Sequence, residues 1–276
     1  MESKSALGRI VLKNSLILLK KHKRLFVFAL SGYFLKFIIY GSILVPLVFH
    51  HSSQWFGNSS LIKTIPPKDT FLIILTFMLL LFLLNLILFF FHTAIVANLL
   101  YAIKHNKEPS LLFGFKTALK NYFRVFLWAS YVGTVGLVLN LMKSKKLLHG
   151  NYWRIATSLA IPTLLDQKTW PHSTLKISST LIQTTWGTGV STRYSFISLI
   201  VYTRLIAISP LFIVGLFFPT HLNLLIAGLI SACMLLCIFS FFHMIQAVIR
   251  TVLYCFAQDH IVSPPFEKDL LIRLFG

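Results

Sequence analysis

The sequence predicts an all-α, polytopic transmembrane helix bundle of about six spans, arranged as three hairpins that are each preceded by a basic amphipathic cytoplasmic helix. Three observations carry that expectation. The run from Phe71 to Tyr101 contains no Asp, Glu, Lys or Arg. As a helix rising about 1.5 Å per residue it measures roughly 46 Å, more than the hydrocarbon core of a bilayer at about 30 Å. The composition is 56% hydrophobic and only 12% charged, which leaves too little polar surface to wrap a water-soluble core. The charge is one-sided, 26 Lys and Arg against 7 Asp and Glu for a net +19, and the basic residues crowd the segments that flank apolar runs.

Five apolar stretches follow in order: Leu25–Phe49, Phe71–Tyr101, Tyr122–Met142, Phe196–Phe218 and Leu222–Ile245. A sixth, Tyr152–Leu165, is short, contains Arg154 and Pro162, and reads either as a span or as a re-entrant segment. The basic residues before Leu25 place the N-terminus in the cytoplasm, and Lys104, Lys107, Lys116, Lys120, Lys168, Lys176, Arg193, Lys268 and Arg273 then fall on the same side. Lys143, Lys145 and Lys146 run against that trend. Both termini are expected to be cytoplasmic. Three segments, Ser5–Arg24, Ser110–Lys120 and Ser173–Thr185, begin near a Ser able to cap a helix and combine apolar and basic residues in the manner of interfacial helices. The whole of 1–276 is thus one membrane domain: an amphipathic helix over 1–24, hairpins over 25–101, 110–165 and 173–258, and a tail over 259–276.

Several function classes lose their support on the sequence. None of the acids, Glu2, Asp69, Glu108, Asp166, Asp259, Glu267 or Asp269, lies inside an apolar stretch, whereas proton relays, sodium sites and intramembrane aspartyl proteolysis commonly rest on such groups. No His-Glu-x-x-His helix, Gly-x-Ser-x-Gly elbow or Gly-x-x-x-x-Gly-Lys loop is present, so no catalytic residue and no cofactor is expected. Cys233, Cys237 and Cys255 form neither a disulfide framework nor a zinc pattern, and His50 with His51 lacks a third metal ligand. Asn58-Ser59-Ser60 matches a glycosylation acceptor by composition alone. The first apolar stretch lacks a small-x-small cleavage site and reads as an uncleaved span. The basic residues show no interleaved aromatics away from the membrane flanks, so the expected partners are membrane lipids, preferentially anionic, and a protein partner, not nucleic acid.

The candidate ligand or lipid-binding residues are polar groups within or beside apolar stretches. Lys36 lies about 16 Å into a helix that starts at Leu25, where a lysine costs about 2.5–3.5 kcal/mol to insert. It reads either as a cation facing a wet cavity or lipid phosphate, or as a snorkelling side chain. Arg204 invites the same two readings. Asn85 and His92, seven apart, share nearly one helical face, and a polar pair is expected to face the bundle interior. His243, Gln246, Arg250 and Tyr254 form a polar stripe leaving the last span, with Arg250 and Tyr254 placed as interfacial anchors. Pro46, Pro162 and Pro210 lie within or at the ends of spans, and Ser209-Pro210 is expected to free a backbone carbonyl and bend its helix.

The ending Ile249-Arg250-Thr251-Val252-Leu253-Tyr254-Cys255-Phe256-Ala257, followed by Pro264-Pro265-Phe266 and Asp269-Leu270-Leu271, resembles that of a family of uncharacterised bacterial multi-pass membrane proteins. Thr185-Trp186-Gly187 and Lys20 to Leu30 are similar to that family as well. Where its members often carry a Thr-Gly turn, Asp259-His260 stands here. The resemblance implies a bacterial inner-membrane protein and supplies no catalytic residue. The expected function is non-enzymatic, engaging anionic lipid or a partner at the cytoplasmic face. A small-solute permease or exporter with an intramembrane polar cavity is the alternative.

Overall fold

The computed structural model describes residues 4–55, 67–108, 110–141, 156–187, 197–218 and 221–273, and among them every regular element is helical. The helices are α1 (Lys4–Lys21), α2 (Leu25–Trp55), α3 (Pro67–His105), α4 (Leu111–Lys120), α5 (Tyr122–Leu141), α6 (Ala160–Gln167), α7 (Pro171–Trp186), α8 (Ile197–Phe217), α9 (His221–Asp259) and α10 (Lys268–Arg273). The Asn58 triplet and Lys143, Lys145 and Lys146 lie outside the described residues, as do the side chains of Pro46, His50 and His51.

Three stretches are long and apolar enough to cross a membrane: Phe82–His105 of α3, Leu199–Phe217 of α8 and Ile226–Asp259 of α9, with Leu25–Ile39 of α2 a shorter apolar stretch. The described residues therefore carry three candidate spans where the sequence suggests six. The surface is inverted relative to a soluble protein. On α8, Tyr202, Phe212 and Leu216 are 65%, 66% and 76% exposed, a contiguous apolar surface that only a nonpolar surrounding tolerates. Hydroxyl groups close their own hydrogen bonds within the helix, as that surrounding requires. Thr93 donates to the Phe89 carbonyl at 2.8 Å, Thr203 to Leu199 at 2.9 Å and Ser240 to Leu236 at 2.8 Å. Pro210 lies inside α8 and denies a backbone donor to Ile206, and the Ser209 hydroxyl donates to that same carbonyl at 2.8 Å.

The long helices α3 and α9 form the spine, both packing on α2 and α6. Their best-buried parts are their C-terminal halves, where Ala94–Leu100 and Met244–Ala257 join Leu7, Val11 and Leu18 of α1, Leu164 of α6 and Leu271 of α10 in one core. We call this the basic end, because Lys20 to Arg24, Lys104 and Lys120 lie beside it. Leu7, Val11 and Leu18 of α1 are thus spent on the protein core, while Ile10 and Ile17 stay exposed along with Lys13 and Lys20. Likewise α7 buries Pro171, Thr174, Ser178 and Ile182. It starts at Pro171, ahead of Ser173, since proline is preorganised for the first helical position.

The α4 helix is different. Ser110 caps it, accepting from the Phe113 N–H at 3.2 Å. Gly114 and Ala118, four apart, turn toward the protein, which leaves Leu112, Phe115 and Leu119 exposed beside Lys116 and Lys120. The described part of the candidate sixth segment carries the short α6, whose eight residues reach only about 12 Å. It is buried at the basic end, and the Ser178 hydroxyl donates to the Ala156 carbonyl at 2.6 Å. The chain beyond α9 does not hang free as a tail. Phe266, Leu270 and Leu271 are buried, and the Trp186 indole donates to the Leu271 carbonyl at 2.9 Å.

A Cβ on Gly114 would come within 2.7 Å of the Ala94 carbonyl oxygen, backbone that cannot swing aside. Gly114→Ala is therefore expected to lower stability by about 1–3 kcal/mol through overpacking, measured by unfolding in neutral detergent. Gly133→Ala, with nothing within 4 Å, is the control: it gains helix propensity of up to about 1 kcal/mol. Equal effects at the two sites would refute the close α3–α4 approach.

Candidate functional site

Three polar constellations sit along the spine. The first closes the basic end. The Lys104 ammonium lies 2.6 Å from Asp166 Oδ2 and 2.9 Å from Asp259 Oδ2, and the Tyr254 hydroxyl donates to Asp166 Oδ2 at 2.7 Å. Gln167 donates to Gln258 at 3.0 Å beside it. These groups end three helices, and α9 reaches Asp259 because residues Thr251–Ala257 are buried on every side. His260 then takes a left-handed conformation (φ 56°) whose N–H bonds the Phe256 carbonyl at 3.1 Å and stops the helix.

The second is a basic pocket where α1 turns into α2. About 240 Å³ is lined by Lys20, Lys21, His22, Lys23 and Arg24 together with Asn98, Glu108 and Leu111. Asn98 is buried, and its Oδ1 has no hydrogen-bond partner among the described residues. Burial, opposed by Glu108 and assisted by Lys21, holds the His22 imidazole below its ordinary range. Cations outnumber the lone carboxylate, so the arrangement suits an anionic group.

The third lies deeper, between α2, α3 and α9. An open cavity of about 490 Å³ is lined by Tyr33, Lys36 and Asn85 among apolar residues that include Phe37, Leu88 and Phe239. Behind it the Tyr33 hydroxyl and His243 Nδ1 are 3.4 Å apart, and the rings of His243 and His92 meet edge to face with centroids 4.5 Å apart. His92 is 4% exposed. Neither of its ring nitrogens, nor Nε2 of His243, has a hydrogen-bond partner among the described residues.

The sequence candidates are thus distributed unevenly. Lys36 and Asn85 share the cavity, Asn85 exposed within it and not buried with His92. His92 and His243 touch each other. Arg204 is exposed on α8, its guanidinium 4.8 Å over the Phe239 ring. The stripe on α9 divides: Gln246 is exposed, Arg250 half-buried, and Tyr254 fully buried. Tyr254 is therefore a core residue bonded to Asp166 and not an interfacial anchor. Among the described residues no group of three or more His, Cys, Asp or Glu gathers as a metal site, and the three cysteines are free. Sequence reasoning missed Lys104, Asp166 and Asp259, which read as loop charges at segment ends. It also missed the pocket, although the charge run Lys20 to Arg24 was its signal.

Asp166 and Asp259 share one cation, so Lys104→Met leaves two carboxylates facing each other. The side chains are 22–32% exposed, and the expected loss is about 1–3 kcal/mol, against about 0–1 kcal/mol for Asp259→Asn, which keeps the Lys104–Asp166 pair. Unfolding of both variants in neutral detergent makes the comparison. An equal loss from the two would dissolve the shared arrangement.

Residues 70–262 match a family of unknown function (DUF6159). No curated protein and no solved structure matches the chain.

Proposed function

We propose that this chain, which belongs to the DUF6159 family of unknown function, is a non-enzymatic integral membrane protein that engages anionic lipid at the basic end of its bundle. One observation carries the reading. The pocket lined by Lys20, Lys21, Lys23 and Arg24 lies where an apolar helix begins, the depth at which lipid headgroups stand beside a spanning helix. Each cation near a membrane surface contributes about 1 kcal/mol of attraction to anionic lipid. Leu111, which opens α4, lines the same pocket, and α4 continues with exposed Leu112, Phe115 and Leu119 flanked by Lys116 and Lys120. That combination is what an interfacial helix needs.

The basic end is the cytoplasmic face of a bacterial inner membrane in this reading, following the positive-inside bias. It supports both termini on that side that α1 and α10 share one core. Six crossings in three hairpins would keep that parity. A small-solute permease or exporter is the second reading, favoured by the joint presence of Lys36 and Asn85 in one cavity.

The test uses the purified full chain in neutral detergent, with phosphatidylglycerol or phosphatidylcholine added and thermal stability recorded. Phosphatidylglycerol is expected to stabilise, and changing Lys20, Lys21, Lys23 and Arg24 together to Gln is expected to weaken its apparent affinity by at least about tenfold. Because His22 is held below its ordinary range of about 6.5, it gains charge only as the pH falls further. The affinity should rise there, and His22→Asn should flatten that rise. Equal protection by phosphatidylcholine, or full affinity in the fourfold variant, would remove the proposal.

A further inference from the structure

The cavity between α2, α3 and α9 has a chemical bias of its own, separate from the basic pocket. Its volume of about 490 Å³ falls in the range of small-molecule sites, about 300–1,000 Å³. Its polar lining is rich in donors: the Lys36 ammonium, the Asn85 carboxamide and the Tyr33 hydroxyl. Among the described residues that line it there is no Asp or Glu. A second cation stands close by, since Arg204 lies 4.8 Å over the ring of Phe239, a wall residue that stacks on Tyr33 with centroids 6.1 Å apart.

Position excludes the simplest use of Lys36. It stands about 16 Å along α2 from Leu25, and a four-carbon stem cannot carry its ammonium back to the basic boundary. A positive group held in an apolar helix bundle is stabilised when a negative ligand shares its site. The rest of the wall is apolar, supplied by Phe37 and by leucines of α3 and α9, so a hydrocarbon chain fits beside the charge.

We propose that this cavity binds an oxyanion, a carboxylate or phosphate, with Lys36 as the charge partner, Asn85 and Tyr33 as hydrogen-bond donors, and the apolar wall receiving a hydrocarbon chain. The anion arrives either on a single-chain lipid or as a free ion. In this assignment His243 donates from Nδ1 to the Tyr33 oxygen, 3.4 Å away, and leaves the phenolic proton for the anion. The assignment needs the cavity alone and does not depend on anionic lipid occupying the Lys20–Arg24 pocket.

The experiment uses the full chain in neutral detergent and reads the thermal shift given by oleate, lysophosphatidate, zwitterionic lysophosphatidylcholine and inorganic phosphate. Oleate or lysophosphatidate is expected to stabilise, and Lys36→Gln to weaken that effect by about tenfold or more, the equivalent of one charged hydrogen bond. Asn85→Leu keeps the ammonium and is expected to weaken it several-fold, which preserves the test if Lys36→Gln does not fold. Inorganic phosphate acting alone, with the same Lys36 dependence, would identify the free ion as the source. With the basic pocket disabled by the fourfold Lys20, Lys21, Lys23 and Arg24 variant, the response that remains should still depend on Lys36, which separates this site from the basic pocket. A shift of equal size from lysophosphatidylcholine, or one indifferent to both Lys36→Gln and Asn85→Leu, would overturn the proposal.

Discussion

The ammonium of Lys104, held between Asp166 and Asp259 at 2.6 and 2.9 Å, fixes the relative register of the two spine helices. Each partner ends a helix, and three ends can meet at one charge only if α3, α6 and α9 stop at the same level. Tyr254 adds a neutral donor to Asp166, so one carboxylate is satisfied twice from different directions. Two acids side by side repel unless a cation is shared, and that makes the junction intolerant of sliding. The consequence runs up the bundle. His243 lies eleven residues before Tyr254 on α9, about three turns away and on nearly the same face, and it meets His92 of α3 edge to face. The contact at the basic end and the contact between the two imidazoles are thus set by one helix pairing.

The sequence read the medium and the local helix chemistry well. Ser110 caps α4, and the freed Ile206 carbonyl finds a donor in Ser209 beside Pro210; both effects are local and follow from residue type. It read partners poorly. Lys104 and Asp166 are 62 residues apart, and helical periodicity gives the face of a residue without naming what lies opposite. The last apolar stretch stops at Ile245 in the sequence, and Gln246 and Arg250 look like an exit from the membrane, yet the helix continues to Asp259 because α1, α6 and α7 cover it with protein in place of lipid.

The same ambiguity explains the amphipathic helices. An apolar stripe reports burial in some apolar medium and does not distinguish a protein core from a bilayer. Leu7, Val11 and Leu18 of α1 found the first, and Leu112, Phe115 and Leu119 of α4 are turned outward. What decides between them is the opposite face. Small residues at Gly114 and Ala118 let α4 approach α3 backbone to backbone, a contact that requires no large side chain, so the large ones are left for the surroundings. On α1 Gly8 and Ser15 are buried too, but Leu7, Val11, Leu18 and Leu19 are buried with them, so large side chains make the contact.

Charge is divided by the same logic. Asp166 and Asp259 are drawn into the Lys104 junction, where they support the fold, and among the described residues Glu108 is the single acid lining the basic pocket. With 26 basic residues against 7 acids, internal pairing cannot neutralise the chain. The remaining positive charge must be balanced by anions from outside, and the surrounding medium decides which anions are available. At the Lys20–Arg24 boundary the proposed function assigns that role to the headgroups of the bilayer, a dense and permanent reservoir. At Lys36 the proposed site assigns it to an anion able to enter the space between α2, α3 and α9. The two proposals thus place two kinds of counter-ion at different depths along a single helix, α2, and its approach from α1.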